Sequence, residues 1–236
     1  MSSENWLPLE SNPDVINKYL KAIGVPEPWK CVDVIGFDKE LLDMVPKPVG
    51  ALLLLYPITQ KNEEYKQKEE AELKKSAGDQ TASPPSIFFM KQHIKNACGT
   101  VALVHALANN SHRIKFASDG IFKAFLERAA AASDPEAKCS ILAADSKMTQ
   151  AHEVSAAEGQ TATPDRNQKV DLHFVCLVPH QGTLFELDGR KPFPISHGPT
   201  NEATFLDDAG AVCRKFMARE PDNYQFSAIA LTASPA

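Results

Sequence analysis

The chain has 236 residues, 43% of them hydrophobic, and a formal net charge of −5 from 25 basic and 30 acidic side chains. That length and composition exclude a disordered chain, and a core of this size needs no disulfide or metal staples. The acidic balance argues against nucleic acid as the main partner, since that role calls for a basic face.

In chain order, Asn12-Pro13 opens a helix as N-cap and first residue, Val15, Ile16, Tyr19, Leu20 and Ile23 keep its spacing, and Gly24 ends it. Trp29 to Phe37 reads as a short strand and Asp38 as the cap of a short helix ending before Pro46. Ala51 to Tyr56 is an unbroken apolar run, hence a buried strand. Lys61 to Lys75 is a charged run, a solvated helix face, followed by a loop from Ser76 to Ser86. Ile87 to Met90 is a brief apolar element, and Cys98 to Ala108 is an apolar helix. Asp119 opens an amphipathic helix, and another helical piece spans Ile141 to Met148. Ala151 to Lys169 is polar and poor in apolar anchors, which predicts a long functional loop. Val170 to Val178 and Thr183 to Leu187 are strands joined at Pro179-His180-Gln181-Gly182. Thr200 to Arg219 is a helix and Tyr224 to Leu231 the last strand. Strands and helices without strict alternation predict an α+β or layered α/β fold.

The five cysteines, Cys31, Cys98, Cys139, Cys176 and Cys213, are widely spaced without a CxxC pair. This speaks against a disulfide framework or structural zinc and leaves room for a reactive thiol. The segment Met1 to Asn5 lacks the features of a signal peptide, and no apolar run is long enough to span a membrane. The expectation is a reducing, intracellular location, cytoplasmic with the nucleus as a second compartment, and a monomer without a membrane partner.

Cys98 sits where a loop becomes a helix. Helix-terminal N–H groups and the dipole favour the thiolate there, although the same position also suits an inert core cysteine. If Val178 pairs with Thr183 across a four-residue turn, His173 faces Asp188 with Cβ atoms about 5 Å apart. A carboxylate orienting an imidazole, beside a thiol at a helix start, is the logic of nucleophile, base and orienter. His105 lies seven residues along the Cys98 helix, about 10 Å away, too far to serve that thiol. Gln92, six residues before Cys98, is positioned to donate to a developing oxyanion, or else is an ordinary loop glutamine.

Gln92, Cys98, His173 and Asp188 in that order, with Asn96-Ala97-Cys98-Gly99-Thr100 and Leu187-Asp188-Gly189-Arg190-Lys191-Pro192-Phe193-Pro194, closely resemble the ubiquitin carboxyl-terminal hydrolase family. The resemblance runs from Trp6 to Leu231 and is to the short, single-domain type, near the isozyme usually called the third. It implies one catalytic domain over 1–236 with a papain-like fold: a central antiparallel sheet flanked by helices, with a knotted backbone. It implies Cys98 as nucleophile, His173 as general base and acid, Asp188 as its orienter and Gln92 as oxyanion donor. No metal or cofactor is implied. The implied substrate is ubiquitin, or a ubiquitin-like modifier, carrying a small adduct or short extension at its terminal glycine. The polar loop at about 151–169 would cross over the active site and limit the leaving group. The implied substrate contacts are Pro8, Leu9 and Glu10; Ala156, Ala157, Glu158, Gly159 and Gln160; and Asn223, Tyr224, Gln225 and Phe226. Two other readings share part of this set, a different thiol acyl-transfer enzyme and a non-enzymatic ubiquitin-holding protein.

Overall fold

The computed structural model describes residues 5–76, 84, 86–160, 166, 168 and 170–233. The first helix, α1 (Pro13–Ala22), begins as its sequence dictates: the Asn12 side chain accepts from the Asp14 amide, Pro13 needs no partner, and Val15, Ile16, Tyr19 and Leu20 are buried. Strand β1 (Lys30–Asp33) and helix α2 (Lys39–Leu42) follow, both shorter than expected, and Asp38 makes no side-chain cap bond.

Strand β2 (Val49–Pro57) is the sheet's centre. Its unbroken apolar run is explained by cover on both faces. Ala51 and Leu53 join one core cluster and Leu52, Leu54 and Tyr56 the other. The charged run is α3 (Gln60–Ser76), and most of the loop expected after it falls outside the described residues. Ile87 to Met90 forms no regular element.

Helices α4 (Cys98–Asn109), α5 (Ile121–Ala130), α6 (Pro135–Ala144) and α7 (Ser146–Ala157) come next. The expected helix over Ile141 to Met148 is in fact the join of α6 and α7. Asp145 breaks it, because its side chain accepts from the Lys147 and Met148 amides and so starts a new helix. Asp134-Pro135 carried the same cap signal for α6. The expected loop from Ala151 is also corrected: residues 151 to 157 complete α7, since small alanines favour the helix and His152 and Ala156 anchor one face.

Strands β3 (Leu172–His180), β4 (Thr183–Leu187) and β5 (Ile195–Pro199), helix α8 (Phe205–Arg219) and strand β6 (Ser227–Thr232) complete the described elements. Strand β5 went unread because it is a polar edge containing Gly198 and Pro199. The sheet is antiparallel in the order β1-β6-β2-β3-β4-β5. Helix α4 packs on β2 and β3, while α8 packs on β2 and β4 across the sheet.

The β3–β4 register differs from the expected one. His180 pairs with Thr183, so the turn is only Gln181-Gly182, with φ of 48° and 78°. Two left-handed residues match the twist of the strands, which is why this short turn wins over the four-residue one. The slip is two residues, and because side chains alternate with period two, His173 and Asp188 stay on one face.

Candidate active site

Three chain segments converge at the sheet end. Asn96, in the left-handed region at φ 64°, turns the chain into α4 so that Cys98 is its first residue, half-buried against the sheet. His173 projects from β3 toward Cys98, close enough for the imidazole and the thiol to shift each other's ionisation. Its Nε2 lies 2.7 Å from Asp188 Oδ1, just past β4. The Tyr56 ring meets the imidazole edge-on at 5.8 Å between centroids. Asp188 Oδ1 also accepts from the Arg190 amide at 2.8 Å, which holds the carboxylate in its turn.

The three groups tune one another. Burial disfavours the Cys98 thiolate, yet the His173 hydrogen bond and charge, with the Phe174 and Gly99 amides, outweigh it and bring the thiol below its ordinary value. Burial likewise disfavours the His173 cation, but the Asp188 carboxylate, helped by Cys98, raises it to about 9. Burial would raise Asp188, and His173 and Lys191 reverse this, holding it well below the carboxylate range. The arrangement supports a thiolate–imidazolium pair, with Nε2–H directed at Asp188 and Nδ1–H left for sulfur by the hydrogen-bond network.

Gln92 is brought to the same place by the Asp188-Gly189 turn. Its amide N–H donates to the Gly189 carbonyl at 2.9 Å, and its Nε2 donates to the Ile94 carbonyl at 3.2 Å. The Ala97 N–H reaches that same Ile94 carbonyl, so the Gln92 side chain abuts the turn preceding Cys98. Gly189 is required for this approach: a Cβ there would lie 2.8 Å from Gln92 Cβ. No local pattern marks Gly189 for this approach, since its partner Gln92 lies far away in the chain.

Lys191, which sequence reasoning passed over, is almost fully buried behind Asp188. It pairs with Glu186 at 2.6 Å and Glu69 at 2.5 Å, and Glu186 also meets His197 at 2.9 Å. With Arg190 to Glu63 at 2.8 Å, this chain fastens α3 to the Asp188 turn. Burial opposes the Glu186 charge, but Lys191 and His197 hold its carboxyl at about 2. A depressed acid contributes stability above its unfolded range and loses it as pH falls toward 2. Lys191→Met is expected to cost about 3–5 kcal/mol of unfolding free energy, because it leaves Glu186 buried without its main partner. Urea denaturation at pH 7 reads this, and a loss under about 1 kcal/mol contradicts the buried pair.

Cys98 opens onto a cleft of 320 Å³. Pro8, Leu9 and Glu10 form one wall, and Ala156 and Gly159 the other. Glu10 Oε2 accepts from the Gln160 amide at 2.8 Å, joining the walls. Glu158 turns away to pair with Lys18 at 2.9 Å, and Ala157 is exposed. Asn223, Tyr224, Gln225 and Phe226 do not line this cleft. They lie just before β6, with Tyr224 89% exposed and Phe226 packed toward α8. The Ser11–Ser227 hydroxyl contact at 2.9 Å sets them beside the Pro8–Glu10 wall. Of the expected loop, 161–165, 167 and 169 lie outside the described residues. Arg166 is described, and pairs with Glu153 and the Asn5 carbonyl. Among the described residues no group of three or more His, Cys, Asp or Glu is placed to hold a metal ion.

Comparison with known proteins gives a consistent result. The model of "Ubiquitin carboxyl-terminal hydrolase, family 1" matches residues 6–218. A Drosophila melanogaster ubiquitin carboxyl-terminal hydrolase is 45% identical over 229 residues, covering 97% of this chain and 98% of its own. Arabidopsis thaliana ubiquitin carboxyl-terminal hydrolase 3 is 44% identical over 232 residues, with 98% and 95% covered. Homo sapiens isozyme L1 is 42% identical over 224 residues, with 95% and 96% covered. The catalytic domain of Trichinella spiralis UCH37, solved bound to ubiquitin vinyl methyl ester, shares the fold with a TM-score of 0.73 at 20% identity, covering 98% of this chain and 96% of its own.

Proposed function

The chain belongs to the ubiquitin carboxyl-terminal hydrolase family, and we infer that its thiol centre hydrolyses small adducts or short extensions from the C-terminal glycine of ubiquitin. It is a thiol-dependent cysteine peptidase. The observation that carries the assignment of roles is the buried His173–Asp188 pair at 2.7 Å, coupled to the Cys98 thiol that lines the cleft.

In this reading the Cys98 thiolate attacks the glycine carbonyl carbon and forms a C–S bond. The oxyanion is held by the Cys98 backbone N–H and the Gln92 amide, which swings from the Ile94 carbonyl. His173, as imidazolium, gives its Nδ1 proton to the departing amine or alcohol and becomes neutral. It then takes a proton from the water that attacks the thioester, and ubiquitin leaves with a free carboxylate. Asp188 keeps the ring's orientation and charge throughout.

The walls at Pro8, Leu9 and Glu10 and at Ala156 to Gln160 are assigned to ubiquitin's extended tail, and Asn223 to Phe226 to its folded body. Glu10 lines the cleft and is the acid assigned to the tail's arginines. KM for a ubiquitin substrate is expected to rise several-fold between low and high ionic strength, as steering is screened. A salt-independent KM contradicts the steering and leaves the catalytic roles standing. We further assign the protein to a reducing compartment, cytoplasmic or nuclear, acting as a monomeric single catalytic domain.

The decisive experiment is release of a fluorophore from the ubiquitin C-terminus, paired with capture by ubiquitin vinyl methyl ester. Release, and a single adduct mapped by mass spectrometry to Cys98, are expected. Tight ubiquitin binding without release or adduct would instead favour a holding protein. Parallel assays with ubiquitin-like modifiers settle the range of substrates.

A further inference from the structure

The groups around the cleft come from three separate elements: Cys98 starts α4, Pro8 to Glu10 lie on the N-terminal segment, and Ala156 and Gly159 lie at the end of α7. One side chain that the mechanism does not use joins all three. His152, on α7, is fully buried. Its Nε2 lies 2.8 Å from the Leu7 carbonyl oxygen and its Nδ1 lies 2.7 Å from Thr100 Oγ1. A carbonyl only accepts, so Nε2 carries the hydrogen and donates to Leu7. The neutral ring then accepts at Nδ1, and the Thr100 hydroxyl donates to it. Burial pushes His152 down to about 4, which keeps the ring neutral near pH 7. Trp6 packs over the imidazole at 4.4 Å between centroids, and Tyr19 meets its edge at 6.3 Å.

The positions of these partners give the contact its meaning. Leu7 immediately precedes the Pro8–Glu10 wall. Thr100 is in the first turn of α4, two residues past Cys98. Ala156 is four residues after His152 and so shares its face of α7. The ring therefore sits behind the cleft and ties both walls to the helix that carries the nucleophile.

We propose that His152 is a positioning residue for ubiquitin binding, its bonds to Leu7 and Thr100 holding the two cleft walls at the spacing that admits an extended C-terminal tail. The proposal deepens the hydrolase reading and rests on it. Walls set in advance spare the ligand the entropy of ordering them. Losing the ring's polar atoms leaves the Leu7 carbonyl and the Thr100 hydroxyl unsatisfied in a buried place and loosens the walls at their inner end, where the Glu10–Gln160 bond does not reach.

The test uses the full chain with a ubiquitin C-terminal fluorophore substrate, reading KM, kcat, the rate of Cys98 alkylation by iodoacetamide and the melting temperature. His152→Phe is expected to raise KM about tenfold, the equivalent of one lost buried hydrogen bond, while alkylation keeps its wild-type rate and pH profile. His152→Gln carries an amide donor for Leu7 and a carbonyl for Thr100, and should recover most of that KM. Thr100→Val keeps the Leu7 bond and should raise KM by a smaller factor. A folded His152→Phe protein with wild-type KM overturns the proposal, whatever its melting temperature. So does a fall in kcat and alkylation rate at unchanged KM, which would mark a role in aligning Cys98. If His152→Phe does not fold, a wild-type KM in Thr100→Val overturns it equally. A wild-type chain that releases no fluorophore at all sinks the hydrolase reading, an outcome distinct from a variant that matches an active wild type.

Discussion

Cys98→Ala should lower fluorophore release from ubiquitin by about 10⁴-fold or more, the scale seen when a covalent nucleophile is removed from a cooperating set. Its effect should fall almost wholly on kcat. The sulfur is one small group among those lining the cleft, whereas affinity for the tail is assigned to Pro8 to Glu10 and Ala156 to Gln160. The variant should therefore still bind ubiquitin, at close to wild-type affinity by calorimetry, and fail to react with ubiquitin vinyl methyl ester. The other four cysteines offer no substitute. Cys31, Cys139, Cys176 and Cys213 are buried, and burial raises every one of their thiols, Cys31 to about 12. Residual turnover in Cys98→Ala above a hundredth of wild type would sink the nucleophile assignment.

The second large effect is expected at Asp188. The reactive form is the thiolate beside the imidazolium. It exists above the lowered value of Cys98 and below the raised value of His173, about 9. In the wild type kcat/KM should rise with pH as Cys98 ionises and fall through about 9 as His173 loses its proton. Asp188→Asn removes the charge that lifts His173 while the burial that depresses it remains. The alkaline limb should then move down by at least one pH unit, and Cys98, facing a less positive partner, should move up. The window closes from both sides, and the asparagine also leaves the ring free to take the other tautomer. A loss of about 10³–10⁴-fold near pH 8 is expected. An unmoved alkaline limb would contradict the role of Asp188. The same shift bears on stability: a histidine raised in the fold contributes most below its unfolded value near 6.5 and loses that contribution as pH rises through 9.

Much of this site was legible in the chain itself. Asn12-Pro13 and the spacing after it placed α1, and the unbroken apolar run of Ala51 to Tyr56 placed the central strand. Period-two alternation put His173 and Asp188 on one face even though the expected register was two residues out. The turn was harder to read because the preference lay in backbone twist: Gln181 takes a left-handed conformation that its side chain does not advertise. Strand β5 was hidden by polar edge residues, and the helical content of residues 151 to 157 by the lack of large apolar anchors.

The sequence by itself determined most of the elements, the chemical types and the sharing of a face, because spacing, caps and alternation act over a few residues. Only the tertiary structure decided which distant groups touch. Gly189 against Gln92, Lys191 between Glu69 and Glu186, and His152 between Leu7 and Thr100 are each separated by roughly fifty residues or more for at least one partner. Such contacts form because buried polar atoms and packed surfaces must find partners wherever the chain brings them, and that need leaves no local pattern in the order of residues.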